Sequence, residues 1–194
     1  MAITATQAKV HWNYFLALER DMEKLSRYVE FCDANLAVYS IELAHLLFAA
    51  ASEVDVVAKL ICELVEPGAP RGNIVEYRAI LPRALDGLSD TEVFVPRFSL
   101  SYKPWSNWAE ERNPEWWRAY NNVKHKRDAH FNEATLKHAL NALGGLLILT
   151  FHYYSRKLAP EGQVLAPKDT TMALMPESML IRLKEDWYYS HIVG

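Results

Sequence analysis

From about His11 to Leu36, the apolar residues Trp12, Phe15, Leu16, Leu25, Tyr28 and Val29 recur at three- and four-residue spacings, with Glu19, Arg20, Asp21, Glu23 and Lys24 between them. That period predicts a long amphipathic helix. A second helix is predicted from about Ser40 to Val65. Its first half, Ile41 to Ala51, is apolar almost all round and is expected at the centre of a bundle, whereas Asp55, Lys59 and Glu63 form an i, i+4 ladder along its second half. The run Glu66-Pro67-Gly68-Ala69-Pro70 stops it. Asn73 is placed to cap a shorter helix through about Leu85, interrupted or kinked at Pro82.

The period then changes. Val93, Val95, Phe98, Leu100 and Tyr102 read as extended, but Pro96 and Pro104 restrict them to an edge strand, a small hairpin or a packed loop. Pro114 suits the first turn of a short helix over Glu115 to Lys126. Asn132 with Glu133 is expected to open a last long helix through roughly Arg156, apolar at Leu136, Leu140, Leu143, Leu146 and Leu147, with Gly144 and Gly145 allowing a neighbour to approach closely. After Leu158, the residues Pro160, Gly162, Pro167 and Pro176 predict an irregular tail with one short element near Ser178 to Lys184. The pattern therefore implies an all-α bundle of four to five helices with a small extended insertion. It forms one domain over residues 1–194, with its core at about 12–156 and a tail, 158–194, wrapping it.

Composition narrows the function classes. Of 194 residues, 51% are hydrophobic and 23% charged, an ordinary globular balance that argues against wholesale disorder. A net charge of −3 gives no global attraction to a polyanion, so nucleic-acid contact requires a local basic patch. Cys32 and Cys62 lie in helical patterns without a CxxC pair, as buried thiols of a reducing compartment would. The opening MAITATQAKVHWN lacks the apolar core of a secretory signal, and no apolar run approaches the roughly 20 residues that span a bilayer. A cytoplasmic protein with no membrane association is expected.

The basic patch lies on the short helix. At 100° per residue, Trp116, Tyr120 and Val123 share one stripe, while Arg118, Asn121, Asn122 and His125 lie opposite. Arg118 and His125 return to nearly the same azimuth two turns apart, about 10 Å along the axis. Lys124, Lys126 and Arg127 add charge, so five of the ten residues from Arg118 to Arg127 are basic or histidine. These residue types suit RNA cleavage without a metal: an imidazole exchanges the proton of a ribose 2′-hydroxyl or of the leaving oxygen, and a guanidinium neutralises charge on the phosphate. An exposed basic helix face is as often plain solvated surface. Trp116-Trp117 reads more readily as core packing than as a base-stacking platform.

The order of elements, with Arg118-Ala-Tyr-Asn-Asn-Val-Lys-His125 matching Arg, six intervening residues and His, resembles the HEPN superfamily of small helical nucleic-acid-associated domains. The string WWRAYNNVKHKRDAHFNEATLKHALNAL resembles its Asn-x-x-Lys-His variant through Asn121, Lys124 and His125. Position 119 is alanine, where catalytic members usually carry a polar residue. The resemblance implies a homodimer with paired motifs at its interface and metal-independent endoribonuclease or RNA-binding activity of a bacterial toxin or defence type, with a cognate antitoxin or partner protein. His125 would be acid or base, Arg118 would stabilise the phosphate, Asn121 or Asn122 would orient His125 or the substrate, and Lys124, Lys126 and Arg127 would contact the backbone.

Three other readings stand beside it. One is a non-catalytic module binding a nucleotide or partner protein through the same face. Another is a metal-binding bundle centred on Glu42 and His45, an E-x-x-H whose required second copy is missing, since Glu133 and His138 are five apart. His125, His130 and His138 project differently and form no ligand face, and no cofactor or metal is expected. The last is a structural subunit with an aromatic surface around Trp105, Trp108 and Trp117. No nucleophile elbow or glycine-rich phosphate loop occurs.

Overall fold

The computed structural model describes residues 8–184. Among them the chain is mostly helical: α1 Val10–Leu25, α2 Ile41–Val65, α3 Ile74–Ala84, α4 Glu115–His125, α5 Arg127–His130, α6 Leu136–Lys157 and α7 Pro167–Ala173. One antiparallel hairpin, β1 Val93–Val95 with β2 Leu100–Tyr102, occupies the extended insertion. The all-α class therefore holds with one small sheet added.

α2 and α6 pack along each other at the centre, burying Leu47, Val54 and Ile61 from one and Leu140, Leu143 and Leu147 from the other. One continuous cluster of buried residues runs through the helices, the hairpin and the start of the tail. Ser40 caps α2 by accepting from Leu43 N at 3.1 Å, and Asn73, as the sequence predicts, caps α3 by accepting from Val75 N and Glu76 N. Pro82 falls in the last turn of α3, and the helix runs through it to Ala84.

Several boundaries differ from the sequence reading. The first helix stops at Leu25 rather than Leu36, because Ser26 Oγ donates to Glu23 O and the chain then turns to seat Phe31 against Phe98, ring centroids 4.9 Å apart. Tyr28 is left in solvent. The first half of α2 is less central than expected: Leu43 and Leu47 face the core, but Ile41 and His45 face outward. In the polar ladder Lys59 pairs with Asp55, while Glu63 pairs with Arg71 instead. Pro114 sits at the N-cap, where its carbonyl accepts from Trp117 N and Arg118 N.

The last long helix opens at Thr135, whose hydroxyl accepts from His138 N, rather than at Asn132-Glu133. Its first amides are satisfied from outside: Leu136 N donates to Val38 O and Lys137 N to Leu36 O. Glu133 is consequently free for other partners.

The glycine pair acts as the sequence implies. A Cβ at Gly144 would lie 2.6 Å from Tyr102 Cε2, and one at Gly145 would lie 3.2 Å from Trp116 Cζ2. Tyr102 Oη donates to Leu140 O at 2.9 Å, which anchors the hairpin on α6, and Trp116 Nε1 donates to Pro104 O at 2.9 Å, which ties α4 to the segment just after the hairpin.

The tail, as far as it is described, holds the helix α7, and where the element near Ser178 to Lys184 is expected it has bends and a single bridge residue, Arg182. Arg182 and Phe94 exchange backbone hydrogen bonds of 2.8 Å, which adds a bridge to the open side of β1. Glu19, almost fully buried on α1, accepts from Met179 N, Leu180 N and Ile181 N. The part of the predicted tail over 185–194 lies outside the described residues.

Candidate nucleic-acid interface

The site follows from how α4 is anchored. Trp116, Ala119 and Val123 are buried, with Tyr120 half-buried beside them, and the Trp116 indole packs edge-on against Trp105 with centroids 5.2 Å apart. With that stripe held on α6 through Trp116 and on α2 through Tyr120 and Val123, the helical period turns Arg118 and His125 into solvent. Ala119 is 1% exposed, so a polar side chain following the arginine would enter the core rather than the face.

Arg118 makes no hydrogen bond or ion pair among the described residues, although its charge reaches the carboxylates of Glu115 and Glu133. His125 is the last residue of α4, exposed, and also without a hydrogen-bond partner among the described residues. Both stay on the continuous helix, so their separation remains the two turns set by sequence.

The two amides do not serve His125. Asn121 Nδ2 donates back to Trp117 O at 2.9 Å, and Asn122 Nδ2 donates to Glu133 Oε2 at 2.9 Å. Glu133 Oε1 in turn lies 2.7 Å from His130 Nδ1, and Glu133 O lies 2.8 Å from His138 Nδ1. Partial burial would raise the Glu133 carboxyl, but the hydrogen bonds from Asn122 and His130 and the charges of His130 and Arg118 hold it below the usual carboxylate range. Burial also lowers His138. Glu115 is held low chiefly by its hydrogen bond and charge pairing with Lys137.

The basic cluster is only partly brought together. Lys124 folds back, its Nζ 3.1 Å from Tyr120 Oη and 5.2 Å from that ring. Lys126 breaks the helix with φ −142° and ψ 58°, and the chain beyond it carries the Arg127 guanidinium to within 5.1 Å of the Phe48 ring on α2. Lys126 itself is exposed and keeps no partner among the described residues.

A cleft of about 630 Å³ opens beside the first turns of α4. Arg118, Asn121, Asn122 and Trp117 form one wall, and Ile74 with Asn107 and Asn113 form much of the other; His125 lies outside it. The sequence reading missed this second wall. Asn107 and Asn113 belong to an aperiodic stretch, so no spacing rule connects them with α4.

The remaining sequence candidates are placed plainly. Glu42 and His45 are exposed and 3.8 Å apart on the outer face of α2, and no group of three or more potential metal-ligating side chains gathers among the described residues. Trp105, Trp108 and Trp117 are buried, correcting the expectation of an aromatic docking surface: Trp105 packs on Trp108 and Trp116, and Trp117 packs on Trp116 and Tyr120. Cys62 is buried, its thiol pushed up to about 11 by that burial, but Cys32 is half-exposed because α1 ends before it. No helix among the described residues is long and apolar enough to cross a membrane.

Compared with family models, with curated proteins and with solved structures, the chain finds no match.

Proposed function

We propose that this chain is a HEPN-like, metal-independent endoribonuclease of the toxin or defence type, working as a homodimer through the outer face of α4. One observation carries the reading: Arg118 and His125 stand two turns apart on one exposed helix face, neither engaged in a hydrogen bond among the described residues. A guanidinium and an imidazole so held, with Lys126 alongside, are free to meet a phosphodiester.

In the proposed reaction, an imidazole takes the proton of a ribose 2′-hydroxyl as that oxygen attacks phosphorus. The bond to the 5′ oxygen breaks, the leaving oxygen receives a proton from a second acid, and a 2′,3′-cyclic phosphate and a 5′-hydroxyl end result. Arg118 offsets charge on the phosphoryl oxygens. His125 of a second copy supplies the second acid, which is why the reading includes a dimer.

Cleavage of total RNA in the presence of a chelator tests this. Wild type should cut, while R118A and H125A should lose at least about a hundredfold in rate. Wild type and H125A behaving alike would remove the enzyme reading.

A second reading has a specific observation behind it. With Asn121 committed to Trp117 O and Asn122 to Glu133, no neighbouring amide orients the His125 ring. A non-catalytic module that binds a nucleotide, RNA or a partner protein through the same face needs no such orientation. It predicts binding without cleavage, retained in H125A.

A further inference from the structure

The cleft beside Arg118 has the chemistry of a base-reading pocket. Ile74 and Trp117 supply apolar surface within a lining that is otherwise polar, and three of its amides keep some hydrogen-bonding capacity unspent. The Asn107 side chain makes no hydrogen bond among the described residues. Asn113 uses its Oδ1 to accept from Arg78 Nη1 at 3.2 Å, which leaves Nδ2 to donate. Asn121 donates with Nδ2, which leaves Oδ1 to accept. The cleft thus combines free amide donors and acceptors with apolar side chains, the combination that recognises the edge of an unstacked base. Two carboxylates also border the cleft, and both are engaged: Asp55 by Tyr77 Oη and Lys59, and Glu115 by Lys137.

Position fits that role as well as composition does. Arg118 borders the cleft, while His125 lies outside it, two turns further along the same helix. A nucleotide whose base enters the cleft leaves its phosphate at the guanidinium, on the helix face that also carries the imidazole.

The geometry points to this cleft as the specificity pocket of the face: it takes one base of single-stranded RNA, selected by Asn107, Asn113 and Asn121, next to the phosphate held by Arg118. This rests on reading the α4 face as RNA-binding, and two independent measurements separate the ideas.

The first measurement titrates wild type with the four nucleoside 5′-monophosphates and with inorganic phosphate, followed by tryptophan fluorescence and calorimetry. The second compares binding and cleavage of the four single-stranded homopolymers. One base should be preferred about tenfold in both, and inorganic phosphate should bind more weakly than every nucleotide. N107A/N113A should reduce the preference to within about twofold. N107D/N113D, which keeps side-chain size but replaces donors with acceptors, should change which base is preferred, with thermal melting confirming that both variants fold. Equal binding of all four bases by wild type, or a preference unchanged in both double variants, overturns the pocket while leaving RNA binding by the face intact. Selective monophosphate binding without any RNA binding or cleavage keeps the pocket and removes the RNA reading. Absence of binding in both measurements overturns both.

Discussion

Glu19 is the residue on which the tail depends. Burial raises its carboxyl, and the three amides of Met179, Leu180 and Ile181 work in the opposite direction. Removing the acceptor leaves those amides unpaired, so E19A should cost about 2–4 kcal/mol in urea denaturation, with E19Q losing less because an amide oxygen still accepts. Gly144 is the matching steric case. A methyl group there meets Tyr102 Cε2 at 2.6 Å, and G144A should push the hairpin off α6 and lower stability by about 1–3 kcal/mol, measurable by the same denaturation. The glycine pair was legible in sequence because small residues inside an apolar helix imply close approach. Glu19 was not: it falls among polar neighbours in the helical pattern, and its partners are distant in sequence.

At the level of elements, the strongest periodicities were the most reliable guides. α2, α3 and α4 begin within a residue of their predicted starts because Ser40, Asn73 and Pro114 provide local stop-and-start chemistry. α1 was overextended since Tyr28 and Val29 kept the period going while the backbone had already turned at Ser26. The polar face of α4 was legible from the period alone; the dispersal of its cations was not, because it depends on the break at Lys126 and on Phe48, an aromatic ring from α2. α6 carries a pH signature. Burial, and then the Arg156 charge, lower His152 to about 4 from an ordinary histidine value near 6.5. Between those values the unfolded chain binds more protons than the folded one, so stability rises with pH through the window and is lost as pH falls from 6.5 to 4. The loss should be about 3 kcal/mol, with the half-buried His138 adding in the same direction. Thermal melting against pH should therefore slope more steeply for wild type than for H152Q.

For the whole molecule, the excess of acidic over basic residues means that any affinity for RNA must be local and sensitive to ionic strength. A log-log plot of the association constant against salt should have a slope of roughly −0.7 for each phosphate neutralised, and K126A should flatten it by about one such increment. K124A should change it less, because Lys124 is turned onto Tyr120. The general architecture could be inferred from composition and period, since both report on how much apolar surface each helix must bury. The cleft could not, because three separated segments assemble it and only α4 announces itself.

The contact between Glu19 and the backbone at 179–181 spans 160 to 162 positions of chain. Until the segment at 179–181 arrives, water must hydrate the Glu19 carboxylate in place of those amides, so α1 cannot bury this side chain before that segment has been made. Sealing of α1 is thereby tied to the making of a segment some 160 positions downstream, and a chain that stopped short of it would lack this latch.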